Sequence, residues 1–122
     1  MGNAGKVLCV DDERINLLIL QKLLSRKYEV ITAENGAKAL DIMEQDANIK
    51  FVISDLKMPV MSGLEFIREA NSRFQNKKYF MLSGYAINEE IQAALDSKLI
   101  RRYFEKPANF DQINEALQEN DS

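Results

Sequence analysis

Acids, a hydroxyl and a lysine stand at the ends of short apolar runs in this chain. Asp11 and Asp12 follow Val7–Val10, Asp55 follows Phe51–Ser54, Ser83 follows Tyr79–Leu82, and Lys106 comes just after Tyr103–Phe104. If these runs are parallel strands, their carboxyl ends share one rim, the edge where open α/β sheets place their ligands. Carboxylates, a hydroxyl and an ammonium gathered there could hold a hard divalent cation and a phosphoryl group together. Adjacent acids such as Asp11 and Asp12 repel unless a cation neutralises them, and oxygen-only donors favour Mg²⁺ over zinc. A carboxylate beside such a cation, here Asp55, could act as nucleophile toward phosphorus. Ser83 could donate to a phosphoryl oxygen, with Gly84 leaving room for the ligand. Lys106 is a compact charge able to pair with a carboxylate or a phosphoryl oxygen. Taken singly, each also reads as a helix cap, a turn acid or a solvated lysine. Their shared place at strand ends is what makes them a site.

The elements that must position them follow from periodicity. Lys6–Val10 reads as a buried strand, and Asp12 can cap a helix over about Arg14–Arg26. Ile15, Leu17, Leu18, Leu20 and Leu24 give that helix a broad apolar face. Tyr28–Ala33 is a second strand, ended by the turn signal Asn35-Gly36. Ala37, Leu40 and Met43 stripe a second helix, which frays into Gln45–Asn48. Phe51–Asp55 is a third strand; Pro59 and Gly63 prevent its continuation, and Leu64, Ile67, Asn71 and Phe74 keep helical spacing beyond it. Lys78–Ser83 is a fourth strand, followed by helical spacing at Ile87, Ile91, Ala94 and Leu95. Ile100–Glu105 is a fifth strand, and Phe110, Ile113 and Leu117 face a last helix. Strict alternation with short connections predicts a parallel sheet with helices on both faces.

Composition bounds the function. At 122 residues, 46% hydrophobic and 29% charged, the chain reads as a single soluble domain spanning residues 1–122. Its net charge of −3 gives no basic field for direct nucleic-acid binding. No apolar stretch approaches the roughly 20 residues of a membrane span, and Met1–Lys6 is no signal peptide, so a cytoplasmic location is expected. The histidine count is zero, which excludes Ser-His-Asp and Cys-His catalysis and imidazole metal sites. The lone Cys9 reads as a buried small hydrophobe, and Met58 and Met61 as turn and core packing.

On these residues the chain resembles a response-regulator receiver domain, the phospho-acceptor module of two-component signalling. The matching segments are Val-Leu-Cys-Val-Asp-Asp-Glu at 7–13, Ala-Glu-Asn-Gly-Ala-Lys-Ala-Leu at 33–40 and Ile-Ser-Asp-Leu-Lys-Met-Pro-Val-Met-Ser-Gly at 53–63. Leu-Ser-Gly-Tyr-Ala at 82–86 and Tyr-Phe-Glu-Lys-Pro at 103–107 match as well. The resemblance implies a flavodoxin-like (βα)5 three-layer sandwich with strand order 2-1-3-4-5. It implies that Asp55 is the phospho-acceptor, and that Asp11, Asp12, Asp55 and the Lys57 backbone carbonyl hold Mg²⁺, with Mn²⁺ able to substitute. Ser83 and Lys106 would contact the phosphoryl group, and Ser83 and Tyr103 would form the switch. Lys57 and Tyr85 would flank the path of the hydrolytic water and set the phosphoryl lifetime.

The implied donor is a sensor histidine kinase or a histidine phosphotransfer protein. The implied output is binding: the fourth helix, fifth strand and fifth helix would present a switched surface to a downstream effector, to an output domain absent from this chain, or to a second copy on phosphorylation. No membrane partner is expected. Serine in place of threonine at position 83 departs from the family pattern and would loosen the coupling to Tyr103. A Mg²⁺-dependent phosphatase using Asp55 as nucleophile is the competing enzyme reading. Such enzymes place a second acid two residues after the nucleophile, where this chain has Lys57.

Overall fold

The computed structural model describes residues 4–120; residues 1–3, part of the Met1–Lys6 segment, and residues 121–122 lie outside the described residues. Five strands alternate with five helices: β1 Lys6–Val10, α1 Arg14–Leu24, β2 Glu29–Ala33, α2 Gly36–Gln45, β3 Ile49–Ser54, α3 Gly63–Arg73, β4 Lys78–Ser83, α4 Glu89–Asp96, β5 Tyr103–Glu105 and α5 Phe110–Glu119. All pairings are parallel and the sheet order is β2-β1-β3-β4-β5, as the resemblance implied. The chain leaves β1 toward β2 and returns to β3 on the other side, so a crevice opens beyond the carboxyl ends of β1 and β3.

Alternation along the strands divides the core into two layers. Leu8, Val10, Val52 and Met81 face α2, α3 and α4, burying Leu40, Met43, Leu64, Ile67, Ile91 and Ala94. Val7, Cys9, Ile53 and Leu82 face α1 and α5, burying Leu17, Leu20, Leu24, Ile113 and Leu117. Phe51, Phe80 and Phe104 form a row of rings on that second face, with centroids 6.3 and 6.1 Å apart. Cys9 is fully buried, and burial holds its thiol up at about 12, so it is an inert core residue. Met58 and Met61 pack at the edge of the first layer.

Side-chain caps fix most helix starts. Asn35, Ser62, Asn88 and Asn109 each accept a hydrogen bond from a backbone N–H three residues on, and Ser62 with Glu65 completes a reciprocal capping box.

Several expectations are corrected. Asp12 does not cap α1: Asp11 Oδ1 accepts from the Glu13 N–H at 2.9 Å, and Asp12 is left exposed. The apolar face of α1 is not buried throughout. Leu17, Leu20 and Leu24 take the sheet-facing side, and Ile15, Leu18 and Ile19 stand 63%, 57% and 49% exposed. The fifth strand begins at Tyr103, not Ile100, because Ile100 lies on the turn out of α4, where Lys98 has a positive φ of 65°. The fourth helix begins at Glu89, past the Ile87 where the apolar spacing starts: the Asn88 side chain caps there, and Ile87 lies in the exposed loop before it.

Candidate functional site

The sheet register brings the chemical residues together. The Asp55 N–H donates to Val10 O at 2.8 Å and the Asp11 N–H to Ala33 O at 3.1 Å, so both acids emerge from adjacent strand ends. The Lys106 N–H donates to Ser83 O at 2.9 Å, which ties the lysine to the end of β4. Carboxylate oxygens of Asp11, Asp12 and Asp55 all lie within 4.8 Å of one another. Lys106 Nζ reaches back across the rim to Asp11 Oδ2 at 3.1 Å and Asp55 Oδ1 at 3.4 Å. Asp11 and Asp55 are buried, 1% and 8% exposed, while Asp12 opens to solvent.

This arrangement raises both groups, which disfavours the charged form of Asp55 and favours that of Lys106. Burial, then the neighbouring Asp11 carboxylate, raises the Asp55 carboxyl above its ordinary 3.8; Lys106 and the Leu56 N–H oppose this without cancelling it. Burial lowers the Lys106 ammonium, but its hydrogen bond to Asp11 and the charges of Asp55 and Asp11 outweigh that and raise it. Three carboxylates there face one ammonium, so the pocket is short of positive charge. A hard cation with oxygen donors fits it, since the donor set is three carboxylates and no nitrogen or sulfur.

The sign of the Asp55 shift gives a testable consequence. An acid raised in the folded state contributes most to stability below its ordinary value, and that contribution is lost as pH rises through the raised value. Ionised Asp55 is thus a net cost at neutral pH. With chelator present, Asp55→Asn should melt at a higher temperature than wild type at pH 7, the gap closing toward pH 4. A wild type at least as stable at pH 7 would contradict this electrostatic picture.

Ser83 is fully buried at the end of β4, and its Oγ accepts from the Tyr85 N–H at 3.2 Å. Tyr103 is half-buried on β5, and its hydroxyl donates to the Tyr85 carbonyl. Lys57 Nζ sits 5.0 Å from the centroid of the Tyr85 ring. The five-residue stretch 84–88 is exposed throughout. The structure thus gathers Asp11, Asp12, Asp55 and Lys106, puts Ser83 at the next strand end, and joins Lys57, Tyr85 and Tyr103 along the rim.

Two features escape a reading of the residues in sequence. One is the exposed patch of Ile15, Leu18 and Ile19. Its signal was present as a second apolar stripe beside Leu17, Leu20 and Leu24, too broad for one helix to bury. A cleft lined by Asn16, Ile19, Leu20, Lys106, Pro107 and Ala108 links this patch to the acidic rim. The other is the close packing of Gly63 against Asp55, since the sequence marks that glycine only as a strand breaker. A Cβ there would lie 1.8 Å from the Asp55 carbonyl oxygen.

Comparison with known proteins agrees with this arrangement. The model of the response regulator receiver domain family matches residues 7–118. The hydrogenase transcriptional regulatory protein HoxA of Bradyrhizobium diazoefficiens is 29% identical over 98% of this chain, which spans only 24% of that relative's length. A response regulator receiver domain protein from Clostridium thermocellum has the same fold at a TM-score of 0.87, with 27% identity over 94% of this chain and 92% of its own. The response regulator TrrA of Thermotoga maritima, solved in complex with Mg(2+)-BeF, is 34% identical over 94% of this chain and 97% of its own, at a TM-score of 0.77.

Proposed function

The chain belongs to the response regulator receiver domain family, a family of signalling modules, and on that premise we propose that Asp55 accepts a phosphoryl group from a phosphohistidine. The observation that carries this reading is the group of three carboxylates within 4.8 Å, with Lys106 bridging Asp11 and Asp55. An Asp55 carboxylate oxygen attacks phosphorus, the P–N bond to the donor imidazole breaks, and its electron pair leaves with the ring nitrogen. Phosphoryl transfer of this kind runs through a loose transition state, so positioning and charge neutralisation do most of the work. Asp11, Asp12, Asp55 and the Lys57 carbonyl would hold Mg²⁺, and the chemistry it would supply there is charge neutralisation. Lys106 and Ser83 hold phosphoryl oxygens.

The donor is a histidine kinase or a histidine phosphotransfer protein. It docks on α1, where Ile15, Leu18 and Ile19 offer exposed apolar surface continuous with the rim, and Lys22 and Arg26 offer charge to an acidic partner. The added negative charge pulls Ser83 toward the phosphate, and the loop 84–88 and Tyr103 carry the change to α4, β5 and α5. The described residues act as one receiver unit, whose output is binding to an effector protein, an output segment or a second copy.

Lys57 and Tyr85 set how long the signal lasts. Hydrolysis requires water to approach phosphorus from the side opposite the Asp55 oxygen, and in this reading the Lys57 ammonium, 5.0 Å from the centroid of the Tyr85 ring, and that ring obstruct the approach. In acetyl phosphate and Mg²⁺ the protein should gain one phosphoryl group, and chelator should prevent the gain. After donor removal, Tyr85→Ala should lose the group about tenfold faster, the equivalent of about 1.4 kcal/mol of barrier. Uptake indifferent to chelator would overturn the metal's role, and equal decay would overturn the role of the ring.

A further inference from the structure

Next to the acceptor lies a buried hydroxyl that phosphoryl transfer, as described, does not use. Ser54 is fully buried at the end of β3, paired in register with Val10 and Met81 in the layer under α2, α3 and α4. A hydroxyl in that apolar layer is costly without a partner. Its partner is the Asp55 carbonyl, to which Ser54 Oγ donates at 2.8 Å. That carbonyl belongs to the same planar peptide unit as the Leu56 N–H and is bonded directly to the Asp55 Cα that carries the acceptor side chain. One rigid, planar group attached to the acceptor's own Cα is therefore gripped at its oxygen by Ser54.

The next peptide is held as well. The Gly63 N–H donates to Leu56 O at 2.8 Å, and Gly63 itself presses against the Asp55 carbonyl, closing that side of the grip. Rotation of the 55–56 peptide about its flanking bonds would move the backbone that carries the Asp55 carboxylate and shift the start of the loop that carries the Lys57 carbonyl. A displacement below 1 Å is enough to matter where reaction depends on near-attack geometry.

We propose that Ser54 is a positioning residue: its hydroxyl fixes the Asp55–Leu56 peptide and thereby aims the Asp55 carboxylate for phosphoryl transfer. The proposal rests on the reading of Asp55 as phospho-acceptor and adds to it a residue that touches neither metal nor phosphate. It separates Ser54 from a mere core residue, because a core role depends on volume and a positioning role on the hydroxyl.

Threonine and valine have nearly the same shape and differ in that hydroxyl. The test compares wild type, Ser54→Thr, Ser54→Val and Ser54→Ala in two measurements: the rate of phosphoryl uptake from acetyl phosphate with Mg²⁺, and the Leu56 amide proton shift in metal-free protein. Ser54→Val and Ser54→Ala should slow uptake roughly five- to tenfold, as expected for one lost hydrogen bond, and should move the Leu56 amide upfield. Ser54→Thr should keep both near wild type. Equal rates and equal Leu56 shifts in Ser54→Thr and Ser54→Val would overturn the proposal. Should the β-branched pair fail to fold, Ser54→Ala decides alone, with an unchanged rate and shift overturning it. A wild type that takes up no phosphoryl group would sink the acceptor reading instead, and the Leu56 shift would still decide whether Ser54 holds the peptide.

Discussion

Gly63→Ala should lose about 3 kcal/mol of stability and most of its capacity to accept phosphate. The new Cβ would meet the Asp55 carbonyl oxygen at 1.8 Å, the Asp55 carbonyl carbon at 2.8 Å and Leu56 Cα at 3.0 Å. These are backbone atoms, so no side chain can swing aside to make room. Either α3 moves off the sheet, exposing Leu64 and Ile67 from the core, or the Asp55–Leu56 backbone shifts and misaims the acceptor. Loss of the helix start alone does not account for such an effect. Ser62→Ala, which removes the cap one residue earlier, should cost only about 1 kcal/mol and leave uptake nearly intact. Urea denaturation of both variants, paired with uptake rates, checks the claim. Equal stabilities would show that α3 has room to retreat.

Lys106→Ala should slow phosphoryl uptake about 100-fold or more, the scale of losing one preorganised charge donor from a transition state. Lys106 Nζ lies within 3.4 Å of both Asp11 and Asp55 and is fixed from behind by its N–H bond to Ser83 O. No other ammonium or guanidinium among the described residues has a salt bridge to Asp55. Without it, two buried carboxylates face each other and an incoming phosphoryl group with one positive partner fewer. Lys106→Arg should recover little, because a planar fork cannot occupy the place of a point charge between the two carboxylates. Stopped reactions with acetyl phosphate, followed by intact mass, measure both variants. A rate within a few-fold of wild type for Lys106→Ala would remove the lysine from the mechanism.

How much of this was legible in sequence follows from what each residue does. The acids and Lys106 were readable because charge at the end of an apolar run breaks the pattern that burial imposes. β1 and β4 carry the same bounds in sequence and structure, since continuous apolar runs flanked by polar residues leave little freedom. Apolar spacing extends back to Ile87, whereas the chain enters α4 where Asn88 caps it. The apolar run reads as strand from Ile100 because Ile100 is as buried as a strand residue, yet it is buried by a turn. On α1, spacing marked every apolar residue but not which of them the sheet would cover, and the uncovered ones are the surface assigned to the donor. Ser54 and Gly63 carry no chemical signal of their own. Their parts rest on where backbone atoms of Asp55 and Leu56 lie, and that information exists only once β3 and α3 meet.

The central claim is that Asp55 is the phospho-acceptor, and intact mass tests it most directly. Wild type and Asp55→Asn are incubated with acetyl phosphate and Mg²⁺ and compared. A gain of one phosphoryl group in wild type, with none in Asp55→Asn, is the result predicted here. An equal gain in Asp55→Asn, or no gain in wild type, would contradict it.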